Sequence, residues 1–457
     1  MPTIDLRVPG DVHATLMADI TQVHEWAGYL LCGVLREPDR TLLLGREWHA
    51  VPASMALHGT GHGFSWSPDF DVEMLNQAQR ENLACVVLHY HGGSQPDLGH
   101  KSDRPTADSL MPFLSSEAGG RPHLFGVVGD HAINAVAFAD GAEVGALHSY
   151  TVTSGAMDVW RTRLNGHGAT RAEERHDRLV RGFGIEAHAR LRRTTVGVVG
   201  CGGGGSHVVQ QLAYLGVGQL ILVDADNVEE TNLNRLVGAF PPPPSRSGLD
   251  RLLGRRKGDV GKPKVAVMER MARAVDPTIV VNTLAEGFPS TKTVDALRRA
   301  DVLVACVDRL QVRDDLNRLA KRYLIPMVDI GIEIALDKGG PGEIVALPGR
   351  VTKVLADGPC LRCQGVVSDA LLEAERGGRP PGYAGDPTVP DPAVVTLNGV
   401  VASLAATEVL QLVTGFAGAY APNCGWIYDG LAGSVEQAAK RYSSGRPCEH
   451  DRGRGDP

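Results

Sequence analysis

The chain has 457 residues, which is enough for two or three domains with complete hydrophobic cores. Its net charge of −7, with both signs interspersed, argues against a nucleic-acid-binding face and against a polybasic membrane patch. We expect no signal peptide and no membrane-spanning helix, because no apolar stretch approaches roughly 20 residues. The eight cysteines then indicate reduced thiols or metal ligands in a cytoplasmic protein.

Residues 1–150 alternate strand-like and helix-like segments. The stretches "YLLCGVL" and "TLLLGREW" predict two adjacent strands, and "LACVVLHYH" predicts another. The segments "HLFGVVG" and "INAVAF" predict a later pair of strands. Residues 1–150 are therefore interpreted as an α+β domain, followed by a polar linker over residues 151–175.

From Thr194 the pattern changes to strands separated by helices. The strands are "TTVGVVG", "QLILVDAD", "ADVLVACVD" and "IPMVDIGI". Alternating strands and helices predict a Rossmann-like, doubly wound, mostly parallel sheet covered on both faces. We assign this α/β domain to residues 176–440 and a polar tail to residues 441–457.

The stretch "GVVGCGGGGSHVVQQL" joins the first of these strands to a helix. Its glycines keep side chains away from a helix that begins near Ser206, so the helix N–H groups can bind phosphate; these glycines are Gly200, Gly202, Gly203 and Gly205. Asp224 ends the next strand, where a carboxylate can hold ribose hydroxyls. These features fit NAD as well as ATP.

Two cations and an acid favour ATP. Arg235 follows in "DADNVEETNLNRL", and Lys264 stands at a helix start after "GDVGKP". Asp308 ends a later strand in "ACVDRLQ". The cations can neutralise a triphosphate while the carboxylate orders Mg²⁺, and a nicotinamide enzyme needs no such set. Asp226 and Glu229 are interpreted as helix-start charges and are left out.

The ordered set of motifs resembles the ThiF/MoeB/HesA superfamily of adenylating enzymes, which are related to ubiquitin-activating enzymes. The matching pieces are "RLVRGFG", "GVVGCGGGGSH", "VDADNVEETNLNRL", "VGKPK", "CVDRLQVRDDLN", "VDIGI", "GPCLRC" and "LNGVVASLAATEVLQLVTG". The resemblance implies binding of ATP and Mg²⁺ and transfer of AMP onto a carboxylate. That carboxylate is usually the C-terminal Gly-Gly of a ubiquitin-like or sulfur-carrier protein.

The resemblance also implies residue roles. Asp224 would hold the ribose, and Asp308 would hold Mg²⁺. The phosphates would be held by Asn232, Arg235 and Lys264, of which the two cations also act in catalysis. Arg178 matches an arginine that reaches into the ATP site of a neighbouring subunit, so a homodimer is implied.

The cysteines of the second half suggest a structural zinc site. Cys360 and Cys363 form a C-x-x-C pair, which is half of a tetrahedral site. The resembling family completes that site with a second C-x-x-C, which this chain lacks. Either two of Cys424, Cys448 and His450 complete the site, or the pair is metal-free.

No cysteine falls in residues 370–396, where the nucleophile of related thioester-forming enzymes usually lies. The reaction is therefore expected to stop at the acyl-adenylate or to pass the acyl group to a conjugating-type acceptor protein.

A second metal site is predicted in the first half. His89 and His91 lie two apart at a strand end and so share a face, and Asp103 can be a third ligand. Two histidines, a carboxylate and a water form a hydrolytic zinc site, for which Glu25 can serve as general base.

This part of the chain resembles the JAMM/MPN metalloprotease family, whose members cut peptide or isopeptide bonds after ubiquitin-like proteins. Two residues depart from the family pattern: Gly92 replaces a proline, and His100 stands where the family has a serine. Asp108 is an alternative ligand to Asp103. His100 as a fourth ligand would close the site and silence it.

Two functional hypotheses follow. The first is a bifunctional enzyme that adenylates a ubiquitin-like or sulfur-carrier protein and also processes or deconjugates it. The second is a nucleotide-binding interaction platform with a catalytically inactive JAMM-like docking domain. An NAD oxidoreductase is a more distant third.

Overall fold

The structure, a computed structural model, describes all of the chain except residues 1, 22–25, 61–62, 100, 117–119, 161, 163–172, 243–257, 338–342, 379–392, 419–423, 439–447, 449 and 457. For residues 58–60 and 63–64 it describes the backbone alone. The chain divides into two compact units. The first contains Met1–Gly168, Lys321–Leu324 and Glu449–Pro457, and the second contains Ala169–Ala320 and Ile325–Cys448.

The first unit is built mostly from strands. In chain order its elements are β1 (Thr3–Pro9), α1 (Gly10–Ile20), β2 (Ala27–Arg36), β3 (Arg40–Ala50), β4 (Ala56–Thr60), β5 (Gly63–Trp66), α2 (Pro68–Glu81), β6 (Ala84–Tyr90), α3 (Asp103–Ser116), β7 (His123–Gly129), β8 (Ala132–Ala139), β9 (Ala142–Thr153) and β10 (Met157–Trp160). The predicted strands are present, and β2 and β3 are adjacent, as expected; their pairing is antiparallel.

The main sheet of this unit closes into a barrel, which the sequence analysis did not anticipate. Its strand order is β1-β3-β2-β6-β7-β8-β9-β10, and β1 pairs with β9 as well as with β3. Seven strands therefore form a closed ring with β10 attached to β9. Closure pairs Ile4 with Leu147, and no local pattern reveals a contact between residues so far apart in the chain.

Alternation along the strands separates two cores. Leu30 and Cys32 of β2 belong to a cluster shared by all seven barrel strands and by α1, which is the barrel interior. Tyr29 and Leu31 point the other way, into a cluster with α2 and α3 on the outer face. This outer face carries the histidine site described below.

The predicted linker over residues 151–175 is wrong for its first part. Residues 151–153 end β9 and residues 157–160 form β10, and Val152 and Trp160 are buried. The turn at Ser154 and Gly155 resembles a loop in the sequence, but here it joins two paired strands. Residues 161 and 163–172 lie outside the described part of the chain.

The tail is not a free polar segment in its described part. The backbone N–H of Asp456 donates to the Val34 carbonyl at 2.8 Å, and that of Gly453 donates to the Lys321 carbonyl at 3.0 Å. β6 pairs with β2 only over Ala27–Cys32, so the backbone of β2 beyond that point is available to the tail. Polar composition alone could not predict that these groups would bond to protein rather than to water.

The second unit contains the predicted alternation of strands and helices. Its elements are α4 (Asp177–Phe183), α5 (Ile185–Arg193), β11 (Thr195–Val199), α6 (Gly203–Leu215), β12 (Gln219–Val223), α7 (Lys264–Val275), β13 (Val280–Leu284), α8 (Thr291–Leu297), β14 (Val302–Ala305), α9 (Leu310–Arg322), β15 (Met327–Ile332), β16 (Ala335–Leu336), β17 (Ile344–Ala346), β18 (Pro348–Val354), α10 (Asp369–Arg376), α11 (Val395–Thr414), β19 (Gly425–Asp429) and β20 (Ser434–Gln437). Short 3₁₀ turns cover Glu174–His176 and Glu230–Asn232.

The large sheet of this unit is mostly parallel, in agreement with the predicted fold class. Its strand order is β13-β12-β11-β14-β15-β18-β19-β20. The first five strands are parallel, and the last three are antiparallel to their neighbours. β12 and β13 lie on one side of β11, and β14 and β15 lie on the other, so the strand order reverses between β11 and β14. At such a point a crevice opens at the carboxyl ends of the two strands, and ligands bind there in sheets of this kind.

One helix departs from the expectation that no apolar stretch reaches membrane-spanning length. Among the described residues, α11 alone is long and apolar enough to span a membrane by length and composition. It lies against α6 and β15, and its Glu408 forms a buried ion pair with Lys353 at 2.9 Å. These contacts are those of a core helix. It ends at Gly415, which adopts the left-handed conformation that glycine accommodates.

The packing of the tail can be tested with two glycine substitutions. Gly455→Ala and Gly433→Ala both place a side chain at positive φ, +64° and +67°, which costs about 1–2 kcal/mol. A Cβ on Gly455 would also lie 2.5 Å from the Val34 carbonyl oxygen, whereas one on Gly433 would meet no atom within 4 Å. Scanning calorimetry should show the larger loss of stability for Gly455→Ala; equal losses would contradict the packed tail.

Candidate active site

The glycine-rich segment brings two strand ends unusually close together. Gly200 follows β11 with φ +89°, and a Cβ there would lie 2.4 Å from the carbonyl oxygen of Cys306, which follows β14. A Cβ on Gly205 would lie 1.9 Å from the Gly200 carbonyl oxygen. Only glycine fits these two positions, so the motif forms the floor of the crevice between β11 and β14.

The start of α6 is open to an anion. Gly202 precedes the helix, offers no side-chain cap, and would carry a Cβ without any contact within 4 Å. The first N–H groups of α6 therefore have no side-chain cap from Gly202, and uncapped N–H groups at a helix start suit a phosphate. Gly203 is more confined, since its Cβ would lie 2.4 Å from Nδ2 of Asn398 on α11. Sequence reasoning missed Asn398, although it lies within the quoted motif "LNGVVAS".

Asp224 holds the glycine segment in place. Its carboxylate accepts hydrogen bonds from the backbone N–H groups of Cys201 at 2.6 Å and Asp226 at 2.8 Å. Burial raises the pKa of Asp224, and the two N–H donors and Lys264 oppose that shift. The predicted ribose-binding acid therefore also shapes the phosphate-binding loop.

Arg235 lies against the first turn of α6. The Val237 backbone N–H donates to Ser206 Oγ at 3.1 Å, which ties this segment to the helix. A Cβ on Gly203 would lie 3.5 Å from Cδ of Arg235. The arginine is thus close to the open helix N-terminus, as the predicted phosphate-binding role requires.

Asn232 has a local structural role in addition to its predicted one. The residue is buried, and its side-chain oxygen accepts a hydrogen bond from the Glu229 backbone N–H at 3.1 Å. The side-chain oxygen of Asn232 therefore caps the short 3₁₀ turn that precedes Arg235.

Lys264 is the first residue of α7, and its ammonium contacts the Asp226 carboxylate at 2.7 Å. The lysine side chain is 12% exposed, whereas that of Asp226 is 69% exposed. The interpretation of Asp226 as a helix-start charge is therefore wrong, because no helix begins there and the carboxylate pairs with the predicted phosphate-binding lysine. In the sequence, the D-x-D spacing of Asp224 and Asp226 was the signal that could have revealed the contribution of Asp226 to this site.

Asp308 lies in the loop between β14 and α9, two residues after Cys306. Its carboxylate is exposed and forms no hydrogen bond or ion pair with any residue that the structure describes. Arg178 is exposed on α4, and no contact within the described ranges joins it to the glycine segment. The structure thus gathers the glycine segment, Arg235 and the Asp308 loop at one crevice.

The predicted zinc ligands of the first unit converge. His89 lies near the end of β6 with its ring against Phe125, and Asp103 begins α3. The Asp103 carboxylate is 3.3 Å from Nε2 of His89 and 3.5 Å from Nε2 of His91, and the two Nε2 atoms are 3.1 Å apart. All three ligand atoms lie within 4.8 Å of one another, which fits a single metal ion.

Neighbouring groups set the protonation of two of these side chains. Nδ1 of His91 lies 3.2 Å from the Asp97 carbonyl oxygen, which can only accept, so Nδ1 carries the proton and Nε2 keeps its lone pair. Burial raises the pKa of Asp103, but hydrogen bonds from His89 and from the Gly99 backbone N–H outweigh it and lower the pKa to about 2. The carboxylate is therefore an ionised ligand at neutral pH.

The departures from the JAMM/MPN pattern have a structural basis. Gly92 has φ +69°, which a proline ring cannot adopt, so the loop after His91 follows a different path from one with proline. The alternative ligand Asp108 is wrong, since it is not among the clustered ligands and pairs with Arg104 at 3.2 Å.

Two further residues of this prediction, Glu25 and His100, lie outside the described residues. Sequence reasoning missed Ser102, whose hydroxyl donates to Asp103 at 3.1 Å. Its place directly before the acid was the available signal.

The second predicted metal site is also assembled. Donor atoms of Cys360, Cys363, Cys448 and His450 lie within 4.8 Å of one another. Three sulfurs and an imidazole nitrogen match a closed tetrahedral zinc site. Burial and the neighbouring Cys360 raise the pKa of Cys363, so the thiol is protonated until a cation displaces its proton. Cys424 is buried but is not part of this set.

Comparison with known proteins defines the class of the second unit. The ThiF family model matches residues 175–240 and 245–448, so the chain belongs to the ThiF family. The matched residues begin at 175, and the histidine site of the first unit therefore stands on its geometry alone.

Three curated relatives illustrate the range of the family. The SAMP-activating enzyme E1 of Haloferax volcanii is 30% identical over 50% of this chain and 71% of its own length. The sulfur carrier protein adenylyltransferase of Thermus thermophilus is 30% identical over 56% of this chain and 83% of its own. The tRNA threonylcarbamoyladenosine dehydratase of Haemophilus influenzae is 30% identical over 35% of this chain and 55% of its own.

The open start of α6 generates a prediction. Gly202→Ala should leave the melting temperature of the ligand-free protein unchanged, because the added methyl group meets no protein atom. It should weaken binding of ATP with Mg²⁺ by on the order of tenfold or more, since the methyl group occupies the phosphate's approach to the helix. Calorimetric titration measures this, and Gly287→Ala, which also adds a methyl group in open space, is the control. Unchanged ATP affinity in Gly202→Ala would refute phosphate binding here.

Proposed function

We propose that the second unit uses ATP to adenylate the C-terminal carboxylate of a ubiquitin-like or sulfur-carrier protein. The observation that carries the proposal is the crevice between β11 and β14, with an open helix N-terminus, Arg235 beside it, and Lys264 and Asp308 on neighbouring segments. Two relatives support it by name: one activates SAMP and the other adenylates a sulfur carrier protein. This chain covers 71% and 83% of the length of these two relatives, compared with 55% of the length of the Haemophilus influenzae dehydratase.

In the proposed reaction, the substrate carboxylate attacks the α-phosphorus of ATP and pyrophosphate leaves. Donors at the start of α6 hold the phosphate oxygens, and Arg235 and Lys264 stabilise the negative charge that develops in the transition state. Mg²⁺, when bound, neutralises further phosphate charge, and the exposed carboxylate of Asp308 is a suitable oxygen ligand for it. Asp226 keeps the Lys264 ammonium directed until the triphosphate arrives.

The proposal includes a homodimer, in which the exposed Arg178 of each subunit reaches the ATP of its partner. It also includes release of the acyl-adenylate to a conjugating-type acceptor protein, since no cysteine lies in residues 370–396.

A catalytically quiet nucleotide-binding platform would release no pyrophosphate. Isotope exchange between pyrophosphate and ATP, with a panel of Gly-Gly-ending carrier proteins, separates enzyme from platform.

We further propose that the first unit is a zinc-dependent peptidase or isopeptidase acting on the same class of carrier. His89, His91 and Asp103 would hold the metal and leave one position for water, and Glu25 would take the proton of that water. The support is the convergence of the three ligands and the fixed tautomer of His91. The site of Cys360, Cys363, Cys448 and His450 would hold a second, structural zinc ion.

Asp308→Asn tests the adenylation site. Mg²⁺ with ATP should raise the melting temperature of the wild-type protein, because a ligand of the native state stabilises it, while NAD should not. The variant should lose the Mg²⁺-dependent part of that rise and keep the melting temperature of the free protein. Asp295→Asn, an exposed acid on α8, serves as control. Stabilisation by NAD alone, or an unchanged response in Asp308→Asn, would overturn the assignment.

Metal analysis tests both zinc sites. Mass spectrometry should find one equivalent of zinc at each site, with His91→Asn losing one equivalent and Cys363→Ser losing the other. Glu25→Gln should retain both metals, because it removes a base and no ligand, yet should abolish cleavage of a ubiquitin C-terminal amide reporter. Full zinc content in His91→Asn would contradict the ligand assignment, and full cleavage by Glu25→Gln would contradict the general base.

A further inference from the structure

We propose that Glu375 is a positioning residue for the Mg²⁺-binding loop of the adenylation site. This inference rests on the proposed function, because it concerns how Asp308 is kept available. Glu375 lies on α10, a helix to which neither the motifs of the sequence nor the proposed reaction assigns a role. Its carboxylate bonds to the backbone at the start of α9, two residues after Asp308.

The contact is a two-point cap of a helix N-terminus. Oε1 of Glu375 accepts a hydrogen bond from the backbone N–H of Leu310 at 2.7 Å, and Oε2 accepts one from Gln311 at 2.9 Å. These are the first two residues of α9. A charged acceptor at this place satisfies two N–H groups that have no partner within the helix and also interacts favourably with the helix dipole.

The residues that usually cap a helix are not available here. Arg309 occupies the capping position, and its guanidinium has donors but no acceptor. The next carboxylate along the chain is that of Asp308, which is exposed and makes no bond to the described residues. Glu375 therefore fills the role that Asp308 would otherwise take, and it leaves the Asp308 carboxylate free for a cation.

The part of the loop before Asp308 is held by contacts that do not involve Glu375. Loss of the Glu375 carboxylate would therefore change the position of Asp308 and not that of the whole loop. The guanidinium of Arg313 donates to the Val307 carbonyl and also binds the buried Asp329 carboxylate at 2.6 Å and 2.7 Å. These contacts fix the loop before Asp308, and Glu375 fixes it after. Loss of the Glu375 cap would expose two N–H donors to which the Asp308 carboxylate can turn, and the Mg²⁺ affinity of the ATP complex would fall.

The position of α10 is set by contacts other than that of Glu375. Arg362 bonds with both Asp314 on α9 and Asp369 on α10, at 2.7 Å and 2.8 Å. Leu372 is the buried residue of the helix. A substitution that removes only the Glu375 carboxylate therefore leaves the helix anchored and isolates the capping contact.

The experiment measures the Mg²⁺ dependence of ATP binding in the full-length protein. At fixed ATP, Mg²⁺ is titrated, and the concentration that produces half of the ATP-dependent rise in melting temperature is recorded. Glu375→Gln and Glu375→Ala are compared with the wild type and with Asp308→Asn. Glu373→Gln is the matched control, since it makes the same change of charge at an exposed position on the same helix.

The expected result is that Glu375→Gln raises the half-effect Mg²⁺ concentration on the order of three- to tenfold, with metal-free ATP binding unchanged. Glu373→Gln should match the wild type. A merely structural role would lower the melting temperature of the free protein without changing the Mg²⁺ requirement, and that result overturns the proposal. If Glu375→Ala fails to fold, the half-effect Mg²⁺ concentration of Glu375→Gln, whose side chain keeps one acceptor, still tests the proposal.

The outcomes separate this inference from the function on which it rests. If the wild type shows no stabilisation by ATP with Mg²⁺, the adenylation proposal fails, and the role of Glu375 falls with it. If Asp308→Asn loses the Mg²⁺ effect while Glu375→Gln behaves as wild type, only the inference about Glu375 is overturned. An equal shift in Glu373→Gln would indicate a general charge effect and would also overturn it.

Discussion

The close approach of β11 and β14 is the constraint on which the nucleotide site depends. Gly200 can lie against the Cys306 carbonyl only because it has no side chain and adopts a positive φ. That approach sets the open N-terminus of α6 beside the Asp308 loop, although these segments are far apart in sequence. Asp224 then fixes the loop through two backbone N–H groups. A substitution at Gly200 would therefore disturb several parts of the site at once.

Buried charges stabilise the same edge of the sheet from within. The Asp329 carboxylate is fully buried and is bound by the guanidinium groups of Arg313 and Arg350, so its charge is compensated. Arg313 also reaches the backbone of the Asp308 loop. The exposed residues of the site thus stand on a framework of paired and hydrogen-bonded groups, and the carboxylate of Asp308 makes no bond to any residue in the described part of the chain.

In the first unit, three side chains of the kinds that can hold a metal ion come together on the outside of a closed barrel. β6 supplies both histidines, and α3 supplies Asp103 from its first residue. The carbonyl of Asp97 and the N–H of Gly99 belong to the intervening loop and orient His91 and Asp103. Gly92 belongs to the same loop, and its φ of +69° gives that loop a path which a proline at this position would not allow.

The sequence by itself determined the elements whose signals are local. The strands, the glycine segment, the H-x-H pair and the C-x-x-C pair are all present where the pattern indicates. Local chemistry fixes these features, because alternation, positive φ and ligand spacing involve neighbouring residues. The mostly parallel sheet also followed from the alternation of strands and helices.

Tertiary structure decided what depends on contacts between distant residues. It closed the barrel by pairing β1 with β9, joined Lys264 to Asp226, chose Cys448 and His450 over Cys424, and excluded Asp108 from the histidine site. It also placed Glu375 at the start of α9 and bound the polar tail to β2. In each case the sequence offered several chemically equivalent partners, and only the folded backbone determines which of them comes within bonding distance.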